Sequence, residues 1–179
     1  MIGLTSLAVT SLAFAQATPT DEAPRKPAIS IQTASAPAVK VYYLNAPWGA
    51  NTFAAMERPG DGFYNRRTWP FARLETTRSI SIEGTAVPAG NYALVFHPNT
   101  PDDKGMSLEL RRLSVTEFLQ PGNVMTPTPE GPTVWRGPVR FDRAEGTEPA
   151  LRIDLAPHMA GTKLVVRYGD RRLERDLAY

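Results

Sequence analysis

The stretch that decides the fold is GTAVPAGNYALVFHP, residues 84–98. Pro88 presets the φ angle that the second residue of a β-turn needs, and Gly90 stands at the fourth position, where turns favour glycine. Residues 91–97 are then apolar at both alternating sets of positions, which is typical of a strand covered on both faces. The stretch therefore predicts a turn that leads into a central strand of a sheet.

Working outward from it, five other segments alternate apolar with polar residues at the period of two that a strand requires. In MSLELRR, for example, Ser107 and Glu109 fall on the face opposite Leu108. These segments are 39–45, 77–84, 106–112, 138–143 and 150–156. Short strands separated by turn residues predict antiparallel pairing rather than helical crossovers.

The C-terminal residues predict a hairpin. TKLVVRY (162–168) and RRLERDLA (171–178) flank Gly169 and Asp170, a two-residue loop that suits a type II′ turn. In that register Val166 faces Leu173. One face of the hairpin is then apolar and the other charged, as expected for one layer of a sandwich.

Helical signals are few. Ser114 and Glu117 form a capping box that opens one or two turns of helix before Pro121. The chain also has 17 prolines, which are excluded from helix interiors and central strands. We therefore predict an all-β fold, an antiparallel β-sandwich with one short helix.

The N-terminal residues predict export. No charged side chain occurs from Met1 to Ala17, and AFA and AQA match the cleavage pattern of a secretory signal peptide. Residues 18–38 are rich in Ala, Pro, Thr and Ser, as in a flexible tether. We expect a signal peptide at 1–17, a tether at 18–38 and a single sandwich domain at 39–179. The mature protein would be periplasmic or secreted, with no stable membrane insertion.

Charge and cysteine content exclude several classes of protein. The chain has no cysteine, so disulfides, thiolate metal sites and a lipoprotein anchor are impossible. Its 20 Lys and Arg residues balance 18 Asp and Glu residues in an interleaved pattern, with no concentrated basic segment. Nucleic-acid binding is therefore not expected. The chain also has no phosphate-binding glycine motif, so we expect no cofactor.

A second stretch, WPFARLETT (69–77), precedes the turn and strand of the first. Together they resemble an exported bacterial family catalogued as domain of unknown function 2911, whose members read W-R-T-G-A-N-E-A-T and then L-P-A-G-T-Y-S-L. The residues that match at equal spacing are Trp69, Glu75, Thr77, Pro88, Ala89, Gly90, Tyr92 and Leu94. Pro70 and Leu74 stand where the family has Arg and Asn. The resemblance implies a sandwich fold and export, and it brings no known activity.

Charged residues close to Trp69 in the sequence are candidates for ligand binding. Arg66, Arg67 and Arg73, close to Trp69 in the sequence, offer guanidinium groups to an anionic ligand. Glu75 is the best single carboxylate, because the resemblance places a carboxylate there. The alternative is a solvated surface on which Glu75 pairs with a neighbouring arginine.

His97, Asp102 and Asp103 form a candidate metal site, because imidazole and carboxylates are ligands for zinc. The alternative is a solvated loop, in which aspartates hydrogen-bond their own backbone. Three tryptophans, Trp48, Trp69 and Trp135, could stack on sugar rings if they lined one exposed face, although tryptophan in a sandwich is more often part of the core.

No compact catalytic constellation and no G-x-S-x-G motif is present, so we assign no catalytic residue and lean towards a protein that is not an enzyme. The sequence favours an exported cell-envelope protein with a non-catalytic binding or structural role. Its partner would be an envelope protein or a small ligand. The alternatives are a carbohydrate-binding module and, less favoured, a hydrolase or metal-dependent enzyme.

Overall fold

The computed structural model describes residues 29–49, 69–98, 106–114 and 131–179. Within these ranges all helix or strand structure is β-strand. The strands form a larger sheet of order β1-β2-β3-β6-β7-β8 and a smaller sheet of order β5-β4-β10-β9, in which all pairs are antiparallel. Their bounds are β1 Ile31–Ser35, β2 Val39–Leu44, β3 Trp69–Thr76, β4 Ile80–Ile82, β5 Thr85–Val87, β6 Gly90–Pro98, β7 Met106–Arg112, β8 Thr133–Val139, β9 Asp142–His158 and β10 Gly161–Ala178.

The two sheets pack face to face around one hydrophobic core. The larger sheet contributes residues such as Tyr92 and Leu94, and the smaller sheet contributes Ile153, Leu164 and Leu173, all almost fully buried. Two antiparallel sheets with interdigitated inner faces form a sandwich. The predicted fold class is therefore confirmed, and the predicted short helix at 114–120 lies almost entirely outside the described residues.

The turn between Val87 and Gly90 carries the chain from one sheet to the other. β5 ends at Val87 in the smaller sheet, and β6 begins at Gly90 in the larger sheet, between β3 and β7. The hydroxyl of the buried Tyr92 donates a hydrogen bond of 2.7 Å to the carbonyl oxygen of Pro88. The prediction of a turn followed by a central strand is confirmed.

The predicted hairpin at Gly169–Asp170 is wrong. Residues 161–178 form a single strand, β10, which pairs with β9 from Gly161 to Arg172 and with β4 at Leu177 and Ala178. Val166 therefore faces Ile153 rather than Leu173. Gly169 has a φ of 60° and lies where the register shifts, so its left-handed conformation forms a β-bulge instead of a turn.

The sheet begins earlier in the chain than its composition indicates. β1 lies at Ile31–Ser35, inside the segment 18–38 that was expected to be a tether, and Ala38 is buried. Because β1 is an edge strand of mostly small, half-exposed residues, backbone pairing with β2 holds it and no hydrophobic period marks it. The predicted signal peptide lies outside the described residues, among which no helix is long and apolar enough to cross a membrane.

The segment after β2 joins the edge of the smaller sheet. The backbone N–H of Trp48 donates to Pro149 O, and that of Leu151 donates to Ala46 O, each at 2.8 Å. The Tyr168 hydroxyl donates to Pro47 O, also at 2.8 Å. These bonds connect the two sheets along one side of the sandwich.

Candidate functional site

The larger sheet is also buried on the face that points away from the smaller sheet. Since Tyr92, Leu94 and Phe96 of β6 point into the core, the alternating residues of β6 and their cross-strand partners point to this outer face. The outer face comprises Arg73, Ala93, Val95, His97, Ser107, Glu109, Arg111 and Arg136. Ala93 and Val95 form a small second hydrophobic cluster with Leu113, on the opposite face of the sheet from the main core.

Glu109 lies at the centre of the outer face and is 1% exposed. Its Oε2 atom accepts hydrogen bonds from Arg111 Nε at 2.8 Å and from Thr133 Oγ1 at 3.2 Å. Its Oε1 atom lies 2.5 Å from Nη2 of Arg136, which is in turn opposite Glu109 on β8. Both carboxylate oxygens are therefore engaged, and they hold two guanidinium groups in fixed positions.

The charge of Glu109 is stabilised by its surroundings. Burial acts to raise the pKa of the Glu109 carboxyl, but the hydrogen bond from Arg111 and the charges of Arg111, Arg136 and His97 outweigh it. The pKa is therefore held below its ordinary value of 4.5. A carboxylate of this kind orients cations and does not accept protons at neutral pH.

His97 and Ser107 are directly opposite each other on β6 and β7, next to Glu109. The Nδ1 atom of His97 and the Oγ atom of Ser107 are both buried, and neither has a hydrogen-bond partner in the part of the chain that the structure describes. A buried polar atom without a partner costs about 1–3 kcal/mol. Cross-strand neighbours have Cβ atoms about 4.5–5.5 Å apart, so one small polar group can reach both atoms.

The residues predicted for anion binding do not all lie in the described part of the chain, and those that do lie at different places on β3. Arg73 is 5% exposed and lies on the outer face opposite Ala93 of β6. Glu75 lies two residues further along β3, where it accepts a hydrogen bond of 3.3 Å from the Tyr42 hydroxyl. Trp69 is the first residue of β3. The other two predicted residues, Arg66 and Arg67, lie outside the described residues.

Of the predicted metal ligands only His97 lies in the described part of the chain, whereas Asp102 and Asp103 fall outside it. In the ranges that the structure describes, no group of three His, Asp or Glu side chains could hold a metal ion. Glu109 lies on the outer face beside His97, but both of its oxygens are already engaged by Arg111, Thr133 and Arg136.

The sequence missed Ser107 and Glu109 as site residues, although its period of two placed them on one strand face. That period shows which side chains share a face, but it does not show whether the face is covered. In the fold this face is covered, and Ser107 and Glu109 are buried.

Two of the tryptophans can be placed. Trp135 is 4% exposed within the main core. Trp48 packs edge-to-face on Tyr168, with ring centroids 5.1 Å apart. These two indoles are engaged in the fold and do not form a flat exposed platform of the kind on which sugars stack.

Comparison with known proteins leaves the fold and the site to be interpreted on their own geometry. No family model, no curated protein and no solved structure matches this chain.

Proposed function

We propose that this is an exported, non-catalytic binding protein of the cell envelope, and that its ligand binds on the outer face of the larger sheet. The observation that carries the proposal is the pair of buried, unpartnered polar atoms, His97 Nδ1 and Ser107 Oγ. Two such atoms side by side are rare in folded proteins, since nearly all buried polar groups are hydrogen-bonded. A ligand that bonded to both would remove their desolvation cost.

The chemistry of the outer face favours an anionic oxygen, such as a carboxylate or phosphate oxygen. The Ser107 hydroxyl donates one hydrogen bond, and the His97 ring donates another when its proton is on Nδ1. Glu109, which follows Ser107 at the next position on this face, holds the guanidinium groups of Arg111 and Arg136. Charge-assisted hydrogen bonds from guanidinium groups are the strongest that a protein offers to an oxyanion.

Binding fits this geometry better than hydrolysis does. Ser107, His97 and Glu109 are the residue types of a nucleophile, a base and an orienting acid, but Glu109 is engaged by arginines and a threonine rather than by His97. The backbone around Ser107 is paired in the ladders of β6, β7 and β8. Amides in such ladders are not free to stabilise a developing oxyanion.

Export is supported by the uncharged, small-residue N-terminus and by the resemblance to an exported family. The resemblance assigns no activity, which agrees with a binding role. Mass spectrometry of the protein recovered from the envelope tests this part, and a chain that retains Met1 in the cytosol contradicts it.

The binding proposal is tested by thermal shift and calorimetry with inorganic phosphate, citrate, acetate, glucose and maltose. We expect an anion to raise the unfolding temperature by several degrees at saturation, and Ser107→Ala and His97→Gln to abolish the rise. Ser81→Ala, on the smaller sheet, is the matched control and should retain it. A flat panel, or an anion effect that survives in Ser107→Ala, contradicts the proposal. A Ser107-dependent shift with sugars alone would favour a carbohydrate ligand instead.

A further inference from the structure

A groove lies on the smaller sheet, where β9 bulges away from β10. Glu148 pairs with Gly169 and Arg143 pairs with Arg171, so residues 144–147 of β9 stand opposite the single Asp170 of β10. The bulge and the adjoining strand enclose a groove of about 310 Å³. It is lined by Ala144, Glu145, Gly146, Thr147, Glu148, Arg167 and Arg172.

The two walls of this groove carry opposite charges that do not neutralise each other. Arg167, on β10, pairs with Asp154 at 2.5 Å, and Arg172 pairs with Glu174. Among the described residues, neither Glu145 nor Glu148 forms a hydrogen bond or an ion pair. The groove therefore separates two unpaired carboxylates on the β9 side from two guanidinium groups on the β10 side.

Arg172 supplies a further unpaired group. Its Nε atom is buried and has no hydrogen-bond partner among residues 29–49, 69–98, 106–114 and 131–179, because the contact with Glu174 uses Nη2. A buried donor on a charged group is costly to leave unpaired. Guanidinium groups recognise carboxylates through two parallel N–H donors, and Arg172 is one of the residues that line the groove.

We propose that this groove binds a small zwitterion, specifically a free amino acid. The ligand carboxylate lies against Arg172 and Arg167, and the ligand ammonium group lies between Glu145 and Glu148. A ligand with a single charge satisfies only one wall. The volume is at the lower end of the range for small-molecule sites, which is about 300–1,000 Å³, and suits a ligand of this size.

The test is a thermal-shift screen of the purified protein with each standard amino acid at about 10 mM, where linkage makes millimolar affinity visible. Acetate and methylammonium are the single-charge probes. These measurements are made in the Ser107→Ala protein as well, so that an anion on the outer face is not mistaken for binding in the groove. We expect at least one amino acid to raise the unfolding temperature in both proteins, and the two single-charge probes to have no such effect in the Ser107→Ala protein.

Three variants locate the site. Glu148→Gln removes a carboxylate that forms no hydrogen bond or ion pair among the described residues and whose charge acts on the exposed Arg152, so the fold should be little affected and the amino-acid shift lost. Arg172→Gln should also abolish the shift, and circular dichroism checks that it folds without its Glu174 contact. Arg112→Gln, an exposed arginine at the end of β7 in the larger sheet, should retain it. The proposal is overturned if no amino acid produces a shift, if either single-charge probe matches the amino acid in the Ser107→Ala protein, or if the shift persists in Glu148→Gln.

Discussion

Replacing Gly169 with alanine should destabilise the sandwich by an amount that can be worked out from its surroundings. Gly169 has a φ of 60°, which side chains other than glycine's adopt at a cost. A Cβ at this position would overlap the indole ring of Trp48. The ring would have to move, and with it the edge-to-face contact with Tyr168 and the hydrogen bond from Tyr168 to Pro47.

The expected loss in the free energy of unfolding is about 2–5 kcal/mol. The left-handed backbone contributes about 1–2 kcal/mol, the aromatic pair about 0.5–1.5 kcal/mol and the hydrogen bond about 0.5–1.5 kcal/mol. Gly84→Ala is the matched control, because Gly84 has a φ of 82° but nothing lies within 4 Å of the added Cβ. It should lose only the backbone contribution.

Urea denaturation followed by far-ultraviolet circular dichroism measures both variants. The decisive comparison repeats Gly169→Ala in a Trp48→Ala background, where the indole is gone and the cost should fall to that of Gly84→Ala. Residues in contact show such coupling in double-mutant cycles. If Gly169→Ala costs the same in both backgrounds, Trp48 does not determine the conformation at the bulge and the reasoning is refuted.

Three other substitutions test the site and the turn by the same denaturation assay. Glu109→Gln should cost about 2–3 kcal/mol at pH 7, less than for a fully buried pair because Arg136 is half exposed and can be rehydrated. Because the folded pKa of Glu109 lies below its ordinary value, its charge stabilises the fold above about pH 4.5 and this contribution is lost as the pH falls through the folded pKa. The variant should therefore lose less stability than the parent between pH 5 and pH 3, and an equal loss contradicts the assignment. Ser107→Ala should leave stability unchanged or raise it by up to about 1 kcal/mol, since it removes an unpaired buried hydroxyl, and a large loss would show that the hydroxyl has a partner. Tyr92→Phe should cost about 0.5–1.5 kcal/mol through the bond to Pro88, and no loss would mean that this bond does not stabilise the turn.

The sequence predicts the elements whose structure is determined locally. The turn before Gly90 depends on the φ preferences of Pro88 and glycine, and the strand after it depends on an alternation that any partner strand would satisfy. Both are confirmed because neither requires knowledge of a distant residue. Segment 138–143, by contrast, spans the end of β8 at Val139 and the start of β9 at Asp142, since a short alternating run does not reveal a break within it.

Gly169 shows why the C-terminal hairpin could not be predicted. A glycine with positive φ serves equally well in a two-residue turn and in a bulge. The choice is made by residues far away in the chain: Glu148 pairs with Gly169 from β9, and the Trp48 indole occupies the space above its Cα. No local pattern around Gly169 records either contact.

Ion pairs between residues two apart on the same strand recur in this fold. Within the described ranges, three ion pairs join residues two apart on one strand: Glu109 with Arg111, Arg152 with Asp154, and Arg172 with Glu174. Residues two apart on a strand share a face, so each carboxylate fixes its arginine along the strand. In the sequence these pairs resemble the interleaved charges of a solvated surface.

In the fold, the pairs differ in the guanidinium atom that they use. Arg111 uses Nε for Glu109, whereas Arg172 uses Nη2 for Glu174 and keeps its Nε unpaired. An arginine that is already held by a neighbouring carboxylate loses less side-chain entropy when a ligand arrives. Each candidate site therefore contains arginines that a carboxylate already orients. On the outer face Glu109 holds Arg111 and Arg136, and at the groove Glu174 holds Arg172. Recognition of an oxyanion by such arginines requires no rearrangement of the strands that carry them.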